Sequence, residues 1–250
     1  MNFYGSLCTQ LYDLDKPKPP EDEFDFYLGY FKNKDIKILE AMCGSGRFLI
    51  PFLEMGYDIE GFDLSEDMLA ACRRKASKRN LNCRVMNSKA KDFKSDIKYD
   101  LIITPGGSFV TIKEREKLLE SLKSMYNCLK PNGKFVIEIL TDNIKGSNNN
   151  TWKQSKALER EDGKVIVESN QSQYDQSNKL IKYPLKYELI DGGEIIETES
   201  MDLYIMLYGI HEFKEILEEV GFKMLKTLRA YTQEAATPED KTVIYECSKK

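Results

Sequence analysis

The residues best placed to do chemistry together lie in two short stretches near the start of the chain. Ile38-Leu39-Glu40 is an apolar run closed by a carboxylate, and it leads into Ala41-Met42-Cys43-Gly44-Ser45-Gly46 ahead of a helical pattern. Small residues at a strand-to-helix turn let the backbone approach a ligand closely, and the first turn of the helix offers free N–H groups. The third glycine of a dinucleotide fingerprint would fall at position 49, which is Leu49, so the nicotinamide pattern fails here. Asp63 closes the next apolar run, where an acid can accept hydrogen bonds from two ribose hydroxyls. Alone it would read as a solvated turn residue before a helix cap. Paired with Glu40 and the glycine turn, it reads as the second half of a ligand site.

These residues need a parallel sheet to hold them. Ile36–Ala41 predicts a buried strand, followed by a helix through Met55 that Gly56 ends. Asp58–Phe62 is a second strand. Ser65 caps a helix running to about Asn80, with Glu66 and Asp67 in its first turn, where the macrodipole favours anions. Cys83–Met86 and Tyr99–Thr104 are strands, the latter ending in Pro105-Gly106-Gly107. An amphipathic helix spans Lys113–Leu129, with Leu118, Leu122 and Met125 on one face, and Lys134–Leu140 is the fifth strand. The closing segments are a helix over Glu212–Val220, a strand over Lys223–Tyr231 and a strand over Thr242–Ser248. Apolar runs alternating with helices mark βαβ units.

Between 141 and 210 the period changes to two. Ile181, Tyr183, Leu185, Tyr187 and Leu189 alternate with polar residues, Asp191-Gly192-Gly193 is a hairpin signal, and strands are expected over Lys164–Tyr174 and Glu194–Tyr208. Asn148–Asn150 reads as a loop. Pro184 cannot donate to a ladder, which predicts an edge strand or a bulge. The organisation expected is thus an N-terminal arm over 1–34, an α/β core over 35–140 and 211–250, and an inserted antiparallel cover over 141–210. The arm has a proline break at Pro17, Pro19 and Pro20 and an aromatic cluster from Phe24 to Phe31.

Composition narrows the function classes. Hydrophobic residues make up 41% of the 250, which supplies a sizeable core and excludes a disordered chain. The 41 acids outnumber 37 Lys and Arg, so counterion release gives no general drive toward nucleic acid. No apolar run reaches the length of a membrane span, and the N-terminus has no basic region leading into an apolar one; a cytoplasmic location is expected. The six cysteines show no CxxC spacing and there is one histidine, so no metal site is expected.

Four ordered motifs, ILEAMCGSG (38–46), EGFDLSEDML (60–69), KDFKSDIKYDLIIT (91–104) and LKPNGKFVIEI (129–139), resemble the class I S-adenosylmethionine-dependent methyltransferases. The likeness covers about 36–140 and 211–249, and it is closest to small-molecule members with an antiparallel β insertion. It implies a Rossmann-like seven-stranded sheet of order 3-2-1-4-5-7-6, flanked by helices, with the last strand antiparallel and ligands at the carboxyl ends of the strands. It further implies that Glu40 and the backbone of Ala41, Met42 and Gly44 cradle the methionine portion, and that Asp63 binds the ribose. Leu64 and Met68 would lie against the adenine, Ala90 would offer a backbone N–H, and Thr104, Pro105 and Gly106 would lie beside the sulfonium. Two positions depart from the pattern: Met42 stands where the family usually has Gly, and Lys89 where many members have an adenine-binding Asp. Lysine has no acceptor.

The resemblance implies S-adenosylmethionine as cofactor, S-adenosylhomocysteine as its product, and methyl transfer to an N or O atom of a small molecule by in-line displacement. A tRNA or protein acceptor and a non-catalytic cofactor-binding regulator are the alternatives. Candidate catalytic groups are His211, placed by topology at a helix start on the ligand edge, and Tyr12, in an arm that folds over the cofactor in similar enzymes, as Tyr4 would. Glu138 and Asp142 read as surface or structural groups with cation binding as the alternative, and Arg47 as a structural cap. The face carrying Tyr183, Leu185 and Tyr187 either looks onto the site or packs against the core or a second copy. A monomer or homodimer without nucleic-acid or membrane partners is expected.

Overall fold

A computed structural model of the chain describes residues 4–249. Seven strands form the main sheet: β1 (Lys37–Ala41), β2 (Asp58–Asp63), β3 (Val85–Asn87), β4 (Tyr99–Thr104), β5 (Leu129–Leu140), β10 (Lys223–Arg229) and β11 (Thr242–Ser248). Their order is β3-β2-β1-β4-β5-β11-β10, the order the resemblance implies. Neighbours from β3 to β5 are parallel, whereas β11 runs antiparallel to both β5 and β10. Alternating side chains serve opposite faces. Leu39 and Ile102 join α5 (Arg115–Cys128) and α6 (Ile210–Val220) in one core. Ile38, Leu101 and Ile103 join α2 (Glu21–Leu28), α3 (Leu49–Glu54) and α4 (Glu66–Ser77) in the other. With both faces covered, all the polar chemistry is left to the strand ends.

The arm contains two helices, α1 (Ser6–Asp15) and α2, separated by the proline segment. Its aromatic cluster docks on α3, with the rings of Phe24 and Phe31 centred 4.6 and 4.3 Å from that of Phe52. The α1 helix is tied to the glycine turn: Ser45 Oγ donates to Asp13 Oδ1 at 2.6 Å, and Lys75 Nζ donates to the same oxygen at 2.6 Å.

A second sheet has the order β6-β7-β8-β9: β6 (Asn149–Glu159), β7 (Val165–Asp175), β8 (Leu180–Asp191) and β9 (Glu194–Met206). Three expectations need correction here. Asn148–Asn150 does not remain a loop; it leads into β6, an edge strand whose largely exposed polar residues carry no alternating apolar signal. Strand β8 is an inner strand, not an edge, and it holds Pro184 without a bulge there. The β7–β8 register is unbroken from Asn170↔Leu185 to Gln173↔Lys182, but the two pairs between them, including the one opposite Pro184, are missing. Pairing to β9 continues through Pro184↔Asp202, so the lost donor is confined to one side. Finally, the Leu185 and Tyr187 face meets neither the ligand edge nor the main core. With Ile166 and Met201 it buries Leu7, Cys8 and Leu11 of α1.

Candidate active site

A cleft of about 810 Å³ opens at the carboxyl ends of β1, β2, β4 and β5, a volume typical of small-molecule sites. Its floor is built from strand ends and the turns after them. Glu40, the penultimate residue of β1, has 3% of its surface exposed. Burial pushes its carboxyl up to about 8; the Arg47 guanidinium opposes that shift, Asp63 adds to it, and the Leu49 N–H opposes it. Its Oε2 is sealed from solvent without a hydrogen-bond partner among the described residues. Such a group costs free energy unless something else supplies a donor.

Asp63, at the end of β2, joins the turns around it. Its Oδ2 accepts the Gly44 N–H at 2.9 Å and its Oδ1 the Ser65 N–H at 2.9 Å. Burial raises its pKa, while the Ser65 and Gly44 N–H groups act to lower it. Each oxygen keeps acceptor capacity beyond these bonds. Ser65 caps α4, accepting the Met68 N–H at 3.1 Å.

Met42 adopts φ +58°, a left-handed conformation that glycine reaches freely and other residues only at a cost, and its side chain lines the cleft. This backbone shape accounts for glycine being usual at that position. After β4, the chain kinks through Gly106 (φ +72°) and Gly107 (φ +66°), consecutive left-handed residues that turn the Gly106 N–H toward Glu138 on β5.

Of the residues singled out from the sequence, Tyr12, Glu40, Met42, Gly44, Asp63, Leu64, Met68, Lys89, Ala90, Pro105 and Gly106 all line the cleft. Ala41 and Thr104 do not; both are fully buried in the sheet beneath it. His211 does not reach the cleft either. It is exposed on the first turn of α6, because Phe213, Ile216 and Leu217 take the helix's inner face and the residue two before Phe213 falls on the outer one. Glu23, Arg47, Glu138, Tyr204 and Tyr231 also line the cleft. Glu138, read from the sequence as a surface or structural group with cation binding as the alternative, is not at the surface: it is buried in the apolar run Phe135–Leu140 and lines the cleft. Glu23 and Tyr231 carried no signal in the sequence, since only the tertiary fold brings them here. Arg47 places its guanidinium 3.7 Å from Glu23 and over the rings of Phe48 and Tyr12, and its Nε has no acceptor among the described residues.

Residues 38–133 match the family model for a methyltransferase domain. This is a class I methyltransferase domain. It is of the S-adenosylmethionine-dependent kind. The chain is 26% identical over 227 residues to a glycine/sarcosine N-methyltransferase of Parasynechococcus marenigrum, covering 88% of this chain and 74% of that one. A S-adenosylmethionine-dependent methyltransferase from Clostridium acetobutylicum superposes with a TM-score of 0.79 at 17% identity, over 96% of both chains. A sugar N-methyltransferase from a Streptoalloteichus species superposes with a TM-score of 0.74 at 17% identity, over 96% of this chain and 92% of that one.

The groups lining this cleft suit the parts of S-adenosylmethionine. A partnerless carboxyl oxygen on Glu40 suits a group rich in N–H donors, and the buried, unpartnered Nε of Arg47 suits a carboxylate. Together they fit the two charged ends of an amino acid. Asp63 retains acceptor capacity for a diol, with the exposed apolar side chain of Leu64 and that of Met68 beside it for a base. No helix among the described residues is long and apolar enough to cross a membrane.

Proposed function

We propose that the protein transfers the methyl group of S-adenosylmethionine to a nitrogen or oxygen atom of a small molecule. The observation that carries this reading is the cleft itself. It is of small-molecule size, acidic and buried at its floor, and beside the residues suited to the donor it is also lined by Pro105, Gly106, Glu138, Tyr204 and Tyr231.

In this reading Glu40 and Arg47 hold the amino-acid end, Asp63 the ribose hydroxyls, and Leu64, Met68 and Ala90 the base. Bound there, the donor supplies an activated methyl on a sulfonium. The chain's own contribution is alignment and dryness. Fixing both partners in line turns a bimolecular encounter into a local one. Tyr4 and Tyr12, carried by the arm, line the cleft opposite the sheet, and Tyr12 is held there with Arg47 beside its ring. Burial raises the Tyr12 pKa, so its hydroxyl stays protonated and acts as a donor, not as a base.

Calorimetry with S-adenosylmethionine, followed by transfer of isotopically labelled methyl to a panel of amines and alcohols, tests the proposal. Saturable binding with label in a small acceptor is expected. Binding without transfer to any acceptor would favour a regulatory protein.

A further inference from the structure

Glu138 is 4% exposed, and its two oxygens are used unequally. Oε2 accepts three donors: the Tyr231 hydroxyl at 2.8 Å, the Gly106 N–H at 3.0 Å and the Tyr27 hydroxyl at 3.4 Å. Oε1 accepts none among the described residues, yet it is not one of the atoms sealed from solvent, so this free acceptor opens into the cleft that Glu138 lines. Three donors on one oxygen hold the carboxylate still and leave the other to a ligand.

The surrounding charge says which ligand. Glu138 is faced by Tyr27 and Glu23 from α2, by Tyr231 from the β10–β11 loop and by Arg47 from the turn after β1. Arg47 is shared with Glu23 at 3.7 Å, so Glu138 has no cation of its own within ion-pairing distance among the described residues. Tyr231 is held at φ +59°, an uncommon conformation for a bulky residue, and its hydroxyl meets Glu138 from there. An ammonium group would supply both the missing positive charge and N–H donors for Oε1; a neutral hydroxyl would supply one donor and no charge.

We propose that Glu138 is the acceptor-amine site, its free oxygen binding the substrate's ammonium group and taking one of its protons. This rests on the methyl-transfer reading above. In the step, one N–H bond breaks, its electron pair stays on nitrogen as the attacking lone pair, and the proton forms an O–H bond on Oε1. Glu138 becomes a neutral acid and returns that proton to solvent after product leaves. Burial supports this role by pushing the Glu138 carboxyl up to about 7, close to the pH at which a base is effective.

The test compares wild type, Glu138→Gln and Tyr231→Phe for S-adenosylhomocysteine binding and for turnover of glycine, sarcosine and an amino sugar, each against its hydroxyl counterpart. Glutamine keeps the shape and an acceptor for Gly106 and Tyr231 but cannot take the proton. Wild type should methylate an amine in preference to its hydroxyl counterpart, with kcat/KM rising through about pH 7. Glu138→Gln should bind S-adenosylhomocysteine normally while losing at least about 100-fold in kcat/KM, together with that acid limb. Tyr231→Phe removes a donor that stabilises the carboxylate, so the limb should move to higher pH. A Glu138→Gln variant that binds S-adenosylhomocysteine and keeps the wild-type rate and pH profile overturns the proposal. So does a wild type that binds it but uses hydroxyl acceptors or none of the amines. A wild type that fails to bind it at all instead removes the methyl-transfer reading on which the proposal stands.

Discussion

The floor of the cleft and the antiparallel sheet of the insertion are built on different physics. The floor takes its residues from the ends of buried parallel strands, where Glu40, Asp63 and Glu138 are fixed by a sheet with helices on both faces. The inserted sheet, β6 to β9, gives the cleft a single lining residue, Tyr204. Its work is indirect: its apolar face holds α1, and α1 with the residues flanking it carries Tyr4, Tyr12 and Lys16 to the cleft. Glu199 of β9 reaches the start of α1, accepting the Leu7 N–H at 2.9 Å and the Cys8 N–H at 3.3 Å. An anion there satisfies free N–H groups and complements the helix dipole. The approach is close enough that a Cβ on Gly5 would lie 2.6 Å from the Glu199 carboxylate. The floor therefore presents the buried carboxyl groups of the cleft, and the inserted sheet holds the arm that walls it.

That division can be broken from the side of the inserted sheet. Leu7 is fully buried between α1 and this sheet, so Leu7→Ala should cost about 2–5 kcal/mol in stability, measured by urea unfolding. Cofactor affinity should fall with it, through the arm. A stable variant with unchanged affinity would show that the arm does not depend on the sheet. Glu199→Ala should be milder, about 0.5–2 kcal/mol, as for loss of a helix cap. Its effect should be read as faster hydrogen exchange in the first turn of α1, with the amides of β1 and β2 unchanged.

The floor makes a gentler mark on the pH profile. Glu40 and Glu138 bind protons more tightly folded than unfolded, their pKa values raised to about 8 and about 7. Their stabilising contribution is therefore fully present below the ordinary carboxylate range and is lost as pH rises through those values. Asp58, held low by its hydrogen bond to Lys37, contributes in the opposite sense, losing its share only in acid. The Tm of the ligand-free protein should fall across about pH 6 to 8, and Glu40→Gln should flatten that fall. An unchanged slope would mean that Glu40 is as well solvated as in the unfolded chain.

The strand ends of the floor were legible in the sequence, and so were β7, β8 and β9 of the inserted sheet from their period of two; β6 was not. Glu40 and Asp63 each close an apolar run, so period and punctuation alone place them at neighbouring strand ends. Met42 looked like a departure until its backbone conformation showed what the position requires. By contrast, β6 is a polar edge strand that offers no alternation to read, and Pro184 signals a lost donor without saying which neighbour loses it. His211 misled because a helix start fixes an end of the sheet but not a face of the helix. The contacts of Glu23, Tyr231 and Glu199 join residues more than 90 positions apart or on different layers, and no local pattern encodes them.

The most direct test is calorimetric titration of S-adenosylhomocysteine into wild type and Asp63→Ala, with the fold of each checked by circular dichroism. One molecule should bind per chain, and the substitution should weaken binding by about 1–3 kcal/mol, the loss of hydrogen bonds to a charged group. Equal affinity in a folded Asp63→Ala variant, or no binding by wild type, would contradict a carboxylate-floored nucleoside site at the end of β2.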